Sequence, residues 1–426
     1  MTDGASAWAA RDAAVVWHGF TQMSSYLDND PVIVAAGEGR ELIDIDGKRY
    51  LDAISSLWVT TLGHRVPELD QAVRDQLDRI AHSTMLGNGN QVVIELTEAL
   101  AAVVPVDGPH VLYAADGATA VEQALKIAFQ HWHNRGVAGR TQFLALADAY
   151  HGDSIGALSV GGGGFGTDIF DPLRFPVRRA PSVSAAAQMV RDDDASLAGV
   201  IIEPLVQGAA GMLLHDPAAL RDLGAACKAA GTLLICDEVA TGFGRTGTLF
   251  ASEQCGLRPD LLVLGKGLTG GYLAMSATVA SDEVFGSFLG PDLSEKTLYH
   301  GHSFGGNALA AAVALRHLQL LQQWDVLANV QARSDQLGAL LRERIGAHPA
   351  VKEVRLHGLM GGVELAPPAD GLRWGRRVCA AATRRGVLLR PLGDVVVIMP
   401  MLTTTADEVE RIVDVLAVAV DEVCTT

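Results

Sequence analysis

The sequence predicts an α/β protein, with a mostly parallel sheet covered by helices on both faces and a smaller α+β domain beside it. Three observations support this. Short apolar runs recur through the middle of the chain: Val111-Leu-Tyr-Ala, Phe143-Leu-Ala-Leu, residues 198–205, Leu233-Leu-Ile-Cys and Leu261-Leu-Val-Leu. They are apolar without alternation, as strands buried on both faces are. Helical or glycine-rich segments separate them, and in one of these Ala118, Val121, Leu125, Ala128 and Trp132 fall on a single helical face. Beyond about residue 325 the pattern becomes a long helix, a few strands and a final helix from Ala406.

The elements follow in order. Residues 32–35 and 41–45 are strand-like pieces with a turn at Asp46-Gly47. Residues 1–60 are therefore expected to form an N-terminal segment packing with the small domain. Residues 61–325 are expected to be the large domain and 326–426 the small C-terminal one. The stretch 161–166 is the one low-complexity spot and reads as a mobile loop.

Composition narrows the function. Of the 426 residues, 49% are hydrophobic and 19% charged, which excludes a disordered chain. A net charge of −16 repels phosphate backbones and argues against nucleic acid. No apolar run reaches the roughly 18 residues of a membrane span, and the first ten residues lack a signal-peptide pattern. The five cysteines are scattered, suggesting neither a zinc site nor a disulfide framework, so no metal is expected and a reducing cytoplasm is.

Four segments carry candidate chemistry. Asp237 and Glu238 end an apolar strand, where open α/β sheets form their ligand crevice, although aspartate also ends strands for turn reasons. Lys266 stands between Gly265 and Gly267 after another buried strand. There it could form an imine with an aldehyde cofactor or simply sit exposed in a turn. Gly117, Ala118 and Thr119 open a helix after a strand. This is a phosphate site by virtue of free N–H groups and the helix dipole, or an ordinary capped helix. Tyr150, after the strand at Phe143, could stack on a flat ring or pack in the core. Taken in order, a phosphate cradle, an aromatic, an aspartate and a lysine at successive strand ends are the parts that pyridoxal phosphate needs.

With these residues in view, the chain resembles the class III aminotransferases of the fold-type I pyridoxal-phosphate enzymes. The densest match is Cys236-Asp-Glu-Val-Ala-Thr-Gly-Phe-Gly-Arg-Thr-Gly247 with Gly265-Lys-Gly-Leu-Thr-Gly-Gly271. Within the class it is most similar to the branch acting on 8-amino-7-oxononanoate in biotin biosynthesis. That similarity rests on Val16-Trp-His-Gly-Phe-Thr-Gln-Met23, Asp52-Ala-Ile-Ser-Ser-Leu-Trp58, Ala149-Tyr-His-Gly-Asp153, Glu203-Pro-Leu-Val-Gln-Gly208 and Leu389-Arg-Pro-Leu-Gly393.

The resemblance implies a large domain built on a seven-stranded sheet and a homodimer with its active sites at the subunit interface. It implies that Lys266 carries the cofactor, Asp237 pairs with the pyridine nitrogen, and Tyr150 and Val239 cover the two ring faces. Gly117 and Ala118 would hold the phosphate, together with Ser303 of the second subunit. Phe20, Trp58, Tyr150 and Arg390 would bind substrate, Arg390 by receiving the substrate's carboxylate, unless Arg390 forms a structural ion pair.

Three departures stand out. Ala118 replaces a common serine, Leu57-Trp58 a double tryptophan, and Phe20 a tyrosine. The partners expected are a small-molecule amino donor, S-adenosylmethionine or lysine, and an oxo-acid acceptor. Residues 81–87, 55–58 and 390–394 look more like the lysine-using branch. The rival readings are an ω-aminotransferase for an amine, ornithine or a natural-product aldehyde, and a non-catalytic binding protein of the same fold.

Overall fold

The computed structural model describes residues 4–162 and 166–424. Of the glycine-rich stretch 161–166, residues 163–165 lie outside the described residues.

The chain opens with the helix Ala5–Val15 and three antiparallel strands, β1 (Val34–Glu38), β2 (Glu41–Asp44) and β3 (Arg49–Asp52). The middle of the chain contributes β4 (His110–Ala114), β5 (Gln142–Leu146), β6 (Arg178–Ala180) and β7 (Leu197–Ile202). After a small hairpin of β8 (Val206–Gln207) and β9 (Leu213–Leu214) come β10 (Leu233–Asp237), β11 (Leu261–Leu264) and β12 (Ser276–Ala280). Seven of these strands form one sheet in the order β4-β12-β11-β10-β7-β5-β6. The run β11-β10-β7-β5-β6 is parallel, and β12 is antiparallel to both its neighbours. The mostly parallel sheet expected from the unalternated apolar runs is thus present. All residues of β7, β10, β11 and β12 are buried, because helices cover both faces.

Strand β12 escaped the sequence reading because Ser276 and Thr278 break its apolar run. Both hydroxyls are satisfied by the first turn of the helix Gly117–Asn134 and the residue that caps it. Ser276 Oγ donates to Asp116 O at 2.6 Å and Thr278 Oγ1 to Ala120 O at 2.7 Å. These polar residues anchor the start of that helix on the sheet. The apolar face read from the sequence is the one that packs inward, with Val121, Leu125, Ala128 and Trp132 buried.

The C-terminal part holds β13 (Val351–His357), β14 (Met360–Leu365), β15 (Val387–Leu388), β16 (Arg390–Leu392) and β17 (Val395–Ile398). An antiparallel sheet runs β13-β14-β17-β16, while β15 pairs in parallel with β3 and so completes the N-terminal sheet. The final helix, Ala406–Cys424, buries Val409, Ile412, Val413, Leu416, Ala419, Val420 and Val423 along one face. The same hydrophobic core runs from Leu51 through the large sheet to Val423.

Candidate active site

The parallel strands and β4 end on the same edge of the large sheet. A cavity of about 450 Å³ opens there. Trp58, Gly117, Ala118, Tyr150, Asp237, Val239 and Lys266 all line it, as do His151, Asp153, Glu203 and Ala240.

Lys266 follows β11 and opens a short 3₁₀ turn, Lys266–Thr269, with a φ of 36°. Gly267 lies against Phe243 and Thr61, so that a β-carbon there would sit 3.2 and 3.4 Å from them. Behind the turn, His317 of the helix Ala308–Gln323 hydrogen-bonds Thr61 Oγ1 through Nε2 at 2.6 Å. Among the described residues the Lys266 ammonium has no hydrogen bond or salt bridge. Its Nζ lies 5.2 Å from the centroid of the Trp58 ring. Burial lowers the basicity of Lys266, and the nearby charges of Asp237 and Glu203 oppose that shift.

Asp237 ends β10 and is 5% exposed. One of its oxygens meets His151 Nδ1 at 2.7 Å and the other accepts the Val239 N–H at 3.0 Å. His151 is itself buried, and its Nε2 has no partner among the described residues. Glu203, directly after β7, accepts the Tyr150 and Gly208 N–H groups at 3.1 Å each. Burial pushes its carboxyl up to about 7, with Asp237 adding to the effect and His151 opposing it. The Tyr150 hydroxyl donates to Asp153 at 2.9 Å. Burial and the neighbouring Asp153 raise its pKa.

The helix Gly117–Asn134 points its N-terminus into the cavity. Asp116 caps it through Thr119 N at 2.9 Å, and the Thr119 hydroxyl closes the capping box. The capped donor is that of Thr119, which leaves the Gly117 and Ala118 N–H groups for an anion. A β-carbon at Gly117 would stand 2.9 Å from Val239 Cγ1, and one at Gly265 3.2 Å from the same atom. The glycine at 117 is thus required by packing against Val239. Ala118 rests against Gly152, whose φ of +119° suits glycine, and a β-carbon there would be 2.5 Å from that of Ala118.

Trp58 reaches the cavity through an unusual backbone. Ser55, Ser56, Leu57 and Trp58 have φ of 50°, 50°, 85° and 72°. Each left-handed non-glycine residue costs roughly 1–2 kcal/mol. The result is a buried indole, 7% exposed, whose Nε1 finds no partner among the described residues.

Phe20, Ser303 and Arg390 do not line this cavity. Phe20 is 68% exposed with a φ of 53°, and Ser303 is exposed and accepts a hydrogen bond on its carbonyl from His82 at 2.8 Å. Arg390 begins β16 and is half-buried. Among the described residues it makes no salt bridge, so the structural ion pair considered from the sequence is not formed.

His151 and Glu203 are the residues whose part in the site was not read from the sequence. Both lay in recognised motifs, but only the adjacency of β5, β7 and β10 brings them to Asp237. No group of His, Cys, Asp and Glu suited to a metal occurs among the described residues.

The residues present fit pyridoxal phosphate. A partly buried lysine, a carboxylate backed by a histidine, uncapped N–H groups at a helix start and two ring nitrogens, the lysine and the ring nitrogens without a hydrogen-bond partner among the described residues, face one chamber. Comparison with known proteins agrees. The family model "Aminotransferase class-III" matches residues 23–420. The adenosylmethionine-8-amino-7-oxononanoate aminotransferase of Nitratidesulfovibrio vulgaris is 44% identical, over 94% of this chain and 79% of the relative. The crystal structure of the enzyme of that name from Methanocaldococcus jannaschii superposes with a TM-score of 0.95 at 37% identity, covering 98% of this chain and 99% of that one. An amine transaminase from an uncultivated Pseudomonas species, solved in its PLP-bound form, gives a TM-score of 0.89 at 31% identity, covering 96% and 99%.

Proposed function

The chain belongs to the class III aminotransferases, and from that premise we propose that it transfers an amino group to 8-amino-7-oxononanoate, forming 7,8-diaminononanoate in biotin biosynthesis. The observation that carries this reading is the meeting of Lys266 and Asp237 in one cavity beside a helix N-terminus, in a chain whose relatives are named for that reaction.

When bound, pyridoxal phosphate supplies an aldehyde that takes up the amino group and a ring that holds the electron pair released at the substrate carbon. Lys266 Nζ accepts and returns the proton at that carbon, a task suited to an amine of lowered basicity. Asp237 keeps a proton on the ring nitrogen, and His151 fixes the carboxylate that does so. Tyr150 and Val239 bound the ring, and the Gly117 and Ala118 N–H groups bind the phosphate. Trp58 walls the substrate chamber, whereas Phe20 stands exposed outside it in the single chain. The guanidinium of Arg390, which makes no salt bridge among the described residues, receives the substrate carboxylate in a forked contact.

The active unit in this reading is a homodimer, with the partner's Ser303 completing the phosphate site. Its support is that Ser303, Tyr299 and Phe304 stand exposed in a single copy. All five cysteines are free, which supports a reducing, cytoplasmic setting.

The relatives' names favour S-adenosylmethionine as donor. Lysine is the second reading, favoured by residues 81–87, 55–58 and 390–394. Mixing the cofactor-loaded protein with each donor separately and following its visible absorbance tests both. One donor should bleach the band, and 8-amino-7-oxononanoate should restore it. Bleaching by neither would leave an aminotransferase of another substrate and remove the biotin assignment.

A further inference from the structure

The four consecutive left-handed residues Ser55, Ser56, Leu57 and Trp58 include no glycine, so the segment does not hold this shape by its own preference. Its contacts show what holds it. On one side Asp52, 1% exposed, accepts Ser56 N at 3.0 Å and the Ser56 hydroxyl at 2.7 Å, and its second oxygen also meets His64 Nε2 at 3.1 Å. On the other side Arg245, 2% exposed, donates to Ser55 Oγ at 3.2 Å and to the Pro400 carbonyl. Ser55 Oγ passes the link on to Met399 O at 2.7 Å. A buried anion and a buried cation thus grip adjacent serines. Asp52 comes from β3 and Arg245 from the loop after β10, and the Met399 and Pro400 carbonyls of the segment after β17 complete the grip.

What the grip achieves is visible one residue further on. Trp58 lies with its ring 5.2 Å from Lys266 Nζ and against Gly208, where a β-carbon would come within 3.3 Å of the ring. With a right-handed path through 55–58 the indole would leave this wall of the cavity. Strain held in place by several independent contacts beside a functional lysine is the pattern expected of a positioning device.

We propose that Asp52 and Arg245 are positioning residues for the transamination, acting through the Ser55–Ser56 turn to hold the Trp58 ring as the substrate-facing wall beside Lys266. This rests on the reading of the cavity as the substrate site, and the test separates the two. Asp52→Asn and Arg245→Lys raise the KM for 8-amino-7-oxononanoate about tenfold and change kcat less than threefold. Ser56→Ala, which removes only the hydroxyl that Asp52 holds at an otherwise exposed residue, shows the same split at a smaller size. Combining Asp52→Asn with Trp58→Ala adds no further rise in KM over Trp58→Ala alone, because the first acts through the second.

A second readout needs neither substrate nor cofactor. The tryptophan fluorescence of the cofactor-free protein, taken as the difference from Trp58→Phe, reports on Trp58 alone. It becomes more accessible to acrylamide in Asp52→Asn and Ser56→Ala. Additive KM effects, or an unchanged Trp58 signal in both variants, would overturn the proposal. A changed Trp58 signal with no effect on any oxo-acid KM would instead overturn the substrate-site reading.

Discussion

At the scale of single residues, the site depends on which groups keep their charge. Asp237 is held by His151 and by the Val239 N–H, which fix the carboxylate at the end of β10. Asp237→Asn removes the charge that keeps the ring proton, and kcat is expected to fall by several orders of magnitude. A near-normal rate would mean that Asp237 is not the ring partner. Glu203 behaves differently. Its folded carboxyl titrates at about 7, raised from 4.5 by burial, so the folded state holds this proton more firmly than the unfolded one. The stability it contributes is full below about pH 4.5 and is lost as pH rises through 7. Glu203→Gln gives up one of two backbone bonds at every pH but lacks that loss. The Tm gap between parent and variant should therefore narrow from pH 4.5 to pH 8, and a constant gap would show that Glu203 does not titrate there. Arg390→Ala should raise the KM for the oxo-acid with little change in kcat, since the contact is remote from the reacting carbon. An unchanged KM would move the carboxylate site elsewhere.

At the scale of elements, the helix Gly117–Asn134 shows how strand and helix together would make the proposed anion site. Strand β12 grips its start through Ser276 and Thr278, and Val239 packs on Gly117. Gly117→Ala forces a methyl to 2.9 Å from Val239, an overpacking worth about 1–3 kcal/mol. It should lower Tm and weaken pyridoxal phosphate binding in a fluorescence titration, and undiminished binding would place the phosphate elsewhere. What was legible at this scale follows from burial. Strands β10 and β11 are fully buried and read as unbroken apolar runs, as does most of β7. Strand β12 was hidden because its hydroxyls are paired with a helix backbone that the sequence does not reveal. The left-handed turn at 55–58 was hidden because left-handed backbone normally announces itself with glycine, and here its serines are bound instead by the nearby Asp52 and by Arg245, far off in sequence.

At the scale of the molecule, the meeting of Lys266, Asp237, Tyr150 and Gly117 in one cavity was legible because each stands at or after the end of its own strand. Their convergence with His151 and Glu203 is a property of strand order, not of local text. The single chain leaves Trp17 89% exposed, Phe20 68%, Tyr299 68% and Phe304 65%, a large aromatic surface for one copy. Sedimentation at micromolar concentration should show a dimer, and activity should fall on dilution into the range where it dissociates. A fully active monomer would remove Ser303 from the phosphate site.

The pairing of β3 with β15 joins residues 51 and 52 to 387 and 388. A growing chain therefore displays the free side of β3 from early in its synthesis until its partner emerges. At ribosomal speeds of about 5–20 residues per second, that interval is roughly 20–70 s. Through it the chain carries an open strand edge that invites pairing with neighbours. The Arg245 contact with Pro400 forms later still, so the pocket wall at Trp58 is among the last parts of the molecule to set.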